Sequence, residues 1–278
     1  MIVDGKKIAG EIKKELKKQM SALDYVPTLA IVMVGDDYSS KQFVNLKKYF
    51  AEDIGISIQL ICLPEENTNT NILVDIIRKL NENNDISGIV VQLPLPLHID
   101  TQMVLNSISA NKDVDLLGAL ALEKFNKWES QILPPVIGAF DKILKHKDIE
   151  IKNKKVVIVG RGALVGEPAA TWFSQMGADV SVADKSIKDI SIITRKADIL
   201  VLGAGSPGLI TSNMIKTGVV LLDAGTSEVS GKLLGDADIT CASKCSVFTP
   251  IPGGVGPITV AIIFENLLKL IGSNTTKV

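Results

Sequence analysis

Four short stretches hold residue types able to do chemistry. Ser40, Phe43 and Lys47 are spaced i, i+3, i+7, which puts them on one face of a helix. If Phe43 leans inward, Lys47 follows it out of water. Desolvation weakens a lysine's hold on its proton and suits it to shuttling protons; the plain alternative is one surface lysine among many. Gln92 opens the run Gln92-Leu93-Pro94-Leu95-Pro96, where two prolines stop strand pairing and stiffen the chain. Gln92 alternates in direction with apolar neighbours, so it can reach into a cavity. His98, alone beside this loop, reads as structural. Lys112-Asp113-Val114-Asp115 offers two carboxylates, which serve as turn formers and caps or accept paired N–H donors from a planar heterocycle.

The fourth stretch is KVVIVGRGALVGEP, residues 155–168. A β-branched run ends in Gly160, Arg161, Gly162, Val165 and Gly166, and Pro168 opens a helical pattern with Ala169, Ala170, Trp172, Phe173 and Met176 inward. Strand, glycine turn and helix form the layout that brings backbone N–H groups to a dinucleotide pyrophosphate. The spacing G-x-G-x-x-x-G is one residue longer than the common fingerprint. The next strand, Asp179–Ala183, ends in Asp184 and Lys185. An acid there favours the ribose of NAD and a base favours the extra phosphate of NADP, so residue physics leaves NAD and NADP both open. Two further strands end in small residues, Gly203-Ala204-Gly205-Ser206-Pro207 and Ala224-Gly225.

These sites need elements to position them. In the first half, strands at Thr28–Val34, 58–63 and 86–93 alternate with helices at 6–20, 39–54 and 69–80, the last with Ile72, Leu73, Ile76, Ile77 and Leu80 inward. Such alternation builds a largely parallel sheet, whose ligands sit beyond the carboxyl ends of the strands. Short helices follow at 120–125 and 136–147, and the domain crossing falls near Pro134-Pro135. At 278 residues the chain suits two domains, and a net charge of -1 gives no broad basic field for nucleic acid. Three cysteines, Cys62, Cys241 and Cys245, show no zinc spacing and suit a reducing compartment. No signal peptide is expected. No run of about 18 apolar residues stands out, so no membrane span is expected either.

The chain closes on Thr249-Pro250-Ile251-Pro252-Gly253-Gly254-Val255-Gly256-Pro257-Ile258-Thr259, read as a loop fixed against a ligand before an apolar helix at 260–270. This run resembles the P-V-P-G-G-V-G-P-M-T segment of the bifunctional methylenetetrahydrofolate dehydrogenase/cyclohydrolases. Residues 34–55 resemble that family's V-G…S-x-x-Y-V-x-x-K…G-I. Residues 88–96 resemble G-I-x-V-Q-L-P-L-P, residues 112–115 match K-D-V-D, and residues 160–168 resemble G-R-S-x-x-V-G-x-P. The likeness runs in order over nearly the whole chain.

The resemblance implies an α/β fold of two domains across a cleft. One is an N-terminal αβα catalytic domain, residues 1–133, on which 260–278 pack back; the other is a Rossmann-type dinucleotide-binding domain, residues 134–259. It implies that methylenetetrahydrofolate gives up a hydride to NADP, and that water then opens the methenyl ring to 10-formyltetrahydrofolate, a one-carbon donor for purine biosynthesis. By matching position, Lys47 is the catalytic lysine, Gln92 the glutamine that tunes it, and Asp115 the carboxylate holding the pterin amino edge. Ser40, Phe43, Leu93, Pro252 and Gly253 are substrate contacts. The phosphate turn Gly160, Arg161, Gly162, Val165 and Gly166, with Asp184, Lys185, Gly205, Thr226 and Thr259, holds the cofactor. No metal is implied. A cytoplasmic homodimer joined through the cofactor domain is expected, with folate derivatives as partners and neither nucleic acid nor membrane.

The departures are specific. The family tyrosine is Phe43, which can stack on folate but has no hydroxyl to orient Lys47. The serine of G-R-S is Gly162, P-C-T-P-x-G is reduced to Leu133-Pro134-Pro135-Val136-Ile137-Gly138, C-H-S is Ala183-Asp184-Lys185, and D-V-G-I-N is Asp223-Ala224-Gly225-Thr226-Ser227. Phe43 favours a second reading, a dehydrogenase without ring opening. A third, a nucleotide sensor without turnover, has no need of Lys47 and Gln92 together.

Overall fold

The computed structural model describes every residue except Lys185, Ser186, Lys188, Ser230 and 276–278. Two compact units form: Glu11–Pro135 with the chain from Val260 on, and Met1–Gly10 with Val136–Thr259.

The first unit takes α1 (Gly5–Met20) from Glu11 on, then β1 (Thr28–Val34), α2 (Tyr38–Ile54), β2 (Ser57–Leu63), α3 (Thr70–Glu82), β3 (Gly88–Val91), α4 (Thr101–Asn106) and α5 (Ala119–Asn126). Its three strands are parallel in the order β2-β1-β3. Central β1 is buried almost throughout, as a parallel strand covered on both faces must be. The Asp37 carboxylate caps α2 by accepting the Ser40 N–H at 2.8 Å, and Gly55, at φ 81°, ends it in the left-handed conformation. Leu73, Ile77 and Leu80 of α3 pack with Val32, Ile89 and Val104. Ile72 was expected with them but is 39% exposed, since it lies about 100° around the helix from Leu73.

The second unit holds α6 (Pro135–His146) from Val136 on, then β4 (Lys155–Val159), α7 (Gly166–Gln175), β5 (Asp179–Ala183), α8 (Ser191–Thr194), β6 (Ile199–Leu202), β7 (Val220–Asp223), β8 (Ser227–Val229), β9 (Lys232–Leu234) and β10 (Val247–Phe248). The main sheet is wholly parallel, in the order β10-β7-β6-β4-β5, and β8 and β9 add an antiparallel hairpin that sequence reasoning missed. Helix α7 begins at Gly166, two residues before the expected Pro168, because a first-turn proline lacks only an N–H that would have no partner there. Met176, expected inward, is its exposed C-cap. Met1–Gly10 cluster with this unit through backbone pairing: Val3 N–H donates to the Phe248 carbonyl at 2.8 Å and Phe248 N–H to the Met1 carbonyl at 2.9 Å.

The last helix, α9 (Val255–Thr275), starts five residues before the expected Val260, absorbing the end of the Pro/Gly run into its first turns. From Val260 on it packs into the first unit. Phe264 stacks on Phe50 with ring centroids 5.2 Å apart, and a Cβ on Gly88 would meet the Leu267 side chain at 2.6 Å. Contrary to expectation, one window, Val255–Gly272, is long and apolar enough to span a membrane, with a mean hydropathy of 1.6. Most of that window is buried inside the protein, which explains a helix apolar nearly all round. Buried Asn266 interrupts it and donates from Nδ2 to the carbonyls of Val114 and Leu133 at 2.9 and 2.8 Å. Asn266→Leu therefore strands two carbonyls, at about 1–3 kcal/mol each. The urea unfolding midpoint should fall accordingly; an unchanged midpoint would show that these bonds do not hold α9.

Candidate active site

In the first unit the chain leaves β1 for β2 on one side and returns to β3 on the other, so the loops beyond β1 and β3 diverge at a topological switch. Gln92 stands directly beyond β3, its N–H on the Val32 carbonyl at 2.8 Å. Helix α2, which follows β1, carries Ser40 and Lys47, both buried, and half-buried Phe43 between them. Lys47 Nζ donates to Gln92 Oε1 at 2.7 Å. Gln92 Nε2 donates to the Leu93 carbonyl at 2.7 Å, which commits the amide nitrogen and leaves the oxygen to face the amine.

Burial drives the Lys47 pKa down, and the negative charge of Asp115 only partly opposes it. Burial raises the Asp115 pKa, and Lys47 in turn pulls it down. A buried lysine that donates its hydrogen bond to a neutral amide is poised to exist as a free amine. Its lone pair is then available to take a proton from a neighbouring molecule.

The Lys112–Asp115 motif divides its labour. Lys112 Nζ donates to the carbonyls of Leu80, Asn81 and Asn83 and so closes the end of α3. Asp113 is fully buried and accepts the Gly118 N–H at 2.8 Å. Burial pushes its acid up to about 6, the Gly118 amide opposes this, and the charge of Asp115 adds to it. The turn-forming reading thus fits Asp113, and Asp115 is the carboxylate coupled to the lysine. Half-buried Leu93 packs against the core of this unit. His98 Nε2 lies 2.9 Å from the Thr68 carbonyl and must donate to it, a structural bond.

In the second unit the order β5-β4-β6 is again a switch, here between β4 and β6. Gly160, at φ 104°, ends β4; a Cβ on it would lie 2.5 Å from the Gly203 carbonyl oxygen, and one on Gly166 2.2 Å from the Gly160 carbonyl oxygen. These two glycines let the turn close on itself, while Gly162 has open space before it and Arg161 is exposed beside it. Val165 is buried against Gly203. An open glycine turn with a guanidinium at the start of a helix suits a nucleotide phosphate.

Half-buried Asp184 follows β5; Lys185, the expected phosphate partner, lies outside the described residues. Gly205 follows β6 and exposed Thr226 follows β7. Pro252 is exposed, and the Gly253 carbonyl accepts the Gly5 N–H at 2.9 Å. The Thr259 hydroxyl donates to the Val255 carbonyl within α9 at 3.1 Å. Cys241 and Cys245 are buried free thiols, pushed by burial up to about 11 and 12. Among the described residues, no group of three His, Cys, Asp or Glu side chains could hold a metal. Sequence reasoning overlooked Asp236, a buried carboxylate bonded to the loop after β6; its only signal is the glycine before it.

Residues 3–115 match the family model of the tetrahydrofolate dehydrogenase/cyclohydrolase catalytic domain, and residues 111–275 that of its NAD(P)-binding domain. The bifunctional protein FolD of Campylobacter hominis is 38% identical over 273 residues, 96% of each chain. The crystal structure of the bifunctional FolD of Campylobacter jejuni superposes with a TM-score of 0.94 at 37% identity, covering 99% of both chains. That of the Trypanosoma brucei enzyme, complexed with NADP cofactor and inhibitor, gives 0.94 at 33% identity over 100% of this chain and 99% of that one.

The coupling of Lys47 to Asp115 has a measurable sign. Asp115→Asn removes a charge that holds the lysine's proton on, so the Lys47 pKa should fall further. NMR titration of the lysine Cε resonance reads this directly, and an unmoved titration means the two groups do not interact.

Proposed function

The chain belongs to the tetrahydrofolate dehydrogenase/cyclohydrolase family, and we propose that it oxidises 5,10-methylenetetrahydrofolate with NADP and hydrolyses the resulting methenyl cation to 10-formyltetrahydrofolate. The observation that carries this reading is the buried Lys47 amine on Gln92 at a sheet's topological switch. The product supplies one-carbon units for purine biosynthesis.

The open turn of Gly160, Arg161, Gly162, Val165 and Gly166 suits the NADP phosphates, with Gly205, Thr226 and Thr259 assigned to the rest of the nucleotide and Arg161 its cationic group. Asp184 near the ribose works against a 2′-phosphate, so Arg161 must outweigh it. Bound there, NADP accepts the hydride at its nicotinamide. Asp115 takes the pterin amino edge, Phe43 stacks on the ring, and Ser40, Leu93, Pro252 and Gly253 complete the folate contacts.

Oxidation of the one-carbon bridge leaves a cation that water can attack. Neutral Lys47 takes one proton from that water as the C–O bond forms, giving a neutral carbinolamine. The ammonium then returns its proton to N5 as the N5–C bond breaks. The hydroxyl proton leaves as the formyl C=O forms, so one proton is released overall. Gln92 accepts one N–H of the amine throughout and keeps its lone pair on the substrate side.

Phe43 favours a second reading, oxidation without ring opening, because the residue one helical turn before Lys47 offers no hydroxyl. Methenyl-folate absorbance followed without nucleotide separates the two. Under the bifunctional reading, ring opening exceeds the buffer rate and climbs with pH as the Lys47 ammonium deprotonates, with a midpoint below that of free lysine. Lys47→Ala should cost about 10²-fold or more. Phe43→Tyr should accelerate ring opening if the missing hydroxyl limits it. A wild-type rate equal to buffer selects the dehydrogenase-only reading.

A homodimer through the NAD(P)-binding domain, in the cytoplasm, completes the proposal. Its support is the exposed apolar residues of this domain: Val229, Leu233 and Leu234 of the hairpin β8–β9, and Ile239 at 65% exposure. Light scattering should give twice the 29.8 kDa chain mass, with Leu233→Glu lowering it to one chain. Cell fractionation checks the compartment.

A further inference from the structure

The loop after β6 is built around an acid from a distant part of the chain. Asp236 is fully buried. Its Oδ2 accepts the amides of Ala204 and Gly205 at 2.6 and 3.1 Å, and its Oδ1 that of Ser206 at 2.6 Å. Three successive N–H groups converging on one point form an anion-binding concavity. Here the anion is part of the protein. The Gly208 N–H donates to the Gly235 carbonyl at 3.0 Å and the Ile210 N–H to the Asp236 carbonyl at 2.9 Å, so the acid is anchored by its own backbone.

A second buried acid backs it. Asp223, at the end of β7, accepts the N–H of Gly225 at 3.0 Å and of Ala237 at 2.8 Å. The packing is tight enough to specify glycine twice. A Cβ on Gly225 would lie 2.0 Å from Asp236 Oδ2, and one on Gly235 2.3 Å from Asp223 Oδ2. Burial and, less strongly, the charge of Asp236 push the Asp223 acid up to about 7. The loop also touches the glycine turn, because Gly203 leaves Gly160 and Val165 no room for a methyl group between them.

We propose that Asp236 is a positioning residue for the nicotinamide nucleotide: by filling three amides itself, it fixes the loop after β6 as a preformed wall and leaves phosphate binding to the Gly160–Gly166 turn. This rests on the reading that the second unit binds NADP. An asparagine at 236 keeps the shape but presents one acceptor and an NH2 group to three donors, so at least one amide loses its partner. The loop then moves without loss of any group that meets the ligand.

Calorimetry on the full chain tests this with NADP and tetrahydrofolate as probes. Asp236→Asn should weaken NADP about tenfold or more, an effect expected of one lost charge-assisted bond. It should leave the tetrahydrofolate Kd unchanged and keep kcat at saturating NADP. Gly225→Ala, which pushes the same carboxylate off the loop without altering charge, should reproduce the selective loss. Unchanged NADP affinity in both variants, or an equal loss of both ligands, overturns the proposal. Failure of the wild-type chain to bind NADP would instead defeat the reading of the domain itself.

Discussion

A lysine amine taken out of water, with a neutral amide oxygen as its hydrogen-bond acceptor, is the constraint on which the rest of the first unit depends. An ammonium there loses hydration that Gln92 cannot replace, and a single partly desolvated carboxylate, Asp115, offsets only part of the cost. The surrounding structure must therefore keep water out and hold the amide fixed. Buried β1, the cap that starts α2 at Asp37, and the Leu93 carbonyl that fixes the Gln92 nitrogen all serve that end. The return of α9 closes the same unit from the other end of the sequence, with Asn266 tied to the carbonyl of Val114, next to Asp115.

Both units solve the placement problem with one topology. In each sheet the first strand is flanked by the second on one side and the third on the other, so the loops beyond the first and third strands part. In the first unit that parting holds Gln92; in the second it holds the Gly160 turn and the Gly203 loop. The chemistry differs because the residues do. A desolvated amine suits proton transfer, whereas an open glycine turn and an exposed guanidinium suit a phosphate. The second unit also carries its own internal anion in Asp236, which separates backbone that is already satisfied from backbone still available to a ligand.

How much of this could be read from residues alone follows the range of the forces involved. The strand TLAIVMV and the face shared by Ser40, Phe43 and Lys47 are local patterns, and they appear where periodicity places them. The start of α9 escapes a local reading because proline and glycine are loop signals, although Pro257 falls in a first turn that tolerates it. The pairing of Met1 and Val3 with β10 joins residues more than 240 apart, which no local window can see. Asp236 was overlooked for the same reason: its partners lie about thirty residues away, and an acid in a loop has no pattern until the amides it serves are in place. Within Lys112–Asp115, two carboxylates that look alike in sequence separate only through their surroundings, Asp113 bonded to a backbone amide and Asp115 in the electrostatic field of an amine.

The loss of a hydroxyl at Phe43 gains meaning in this setting. A tyrosine one turn from the lysine would offer a second polar partner and so a second way to set its proton state. With phenylalanine there, control falls on what remains: the neutral oxygen of Gln92, the charge of Asp115 and the burial of the amine. Of these only Asp115 favours the ammonium. If Asp115 takes the pterin as proposed, the substrate occupies that carboxylate's hydrogen-bonding capacity, less of its charge acts on Lys47, and the amine is released toward its neutral form. On the roles proposed here, binding itself primes the base, and the substitution at position 43 is compatible with ring opening because the substrate supplies part of the control that a tyrosine would have given.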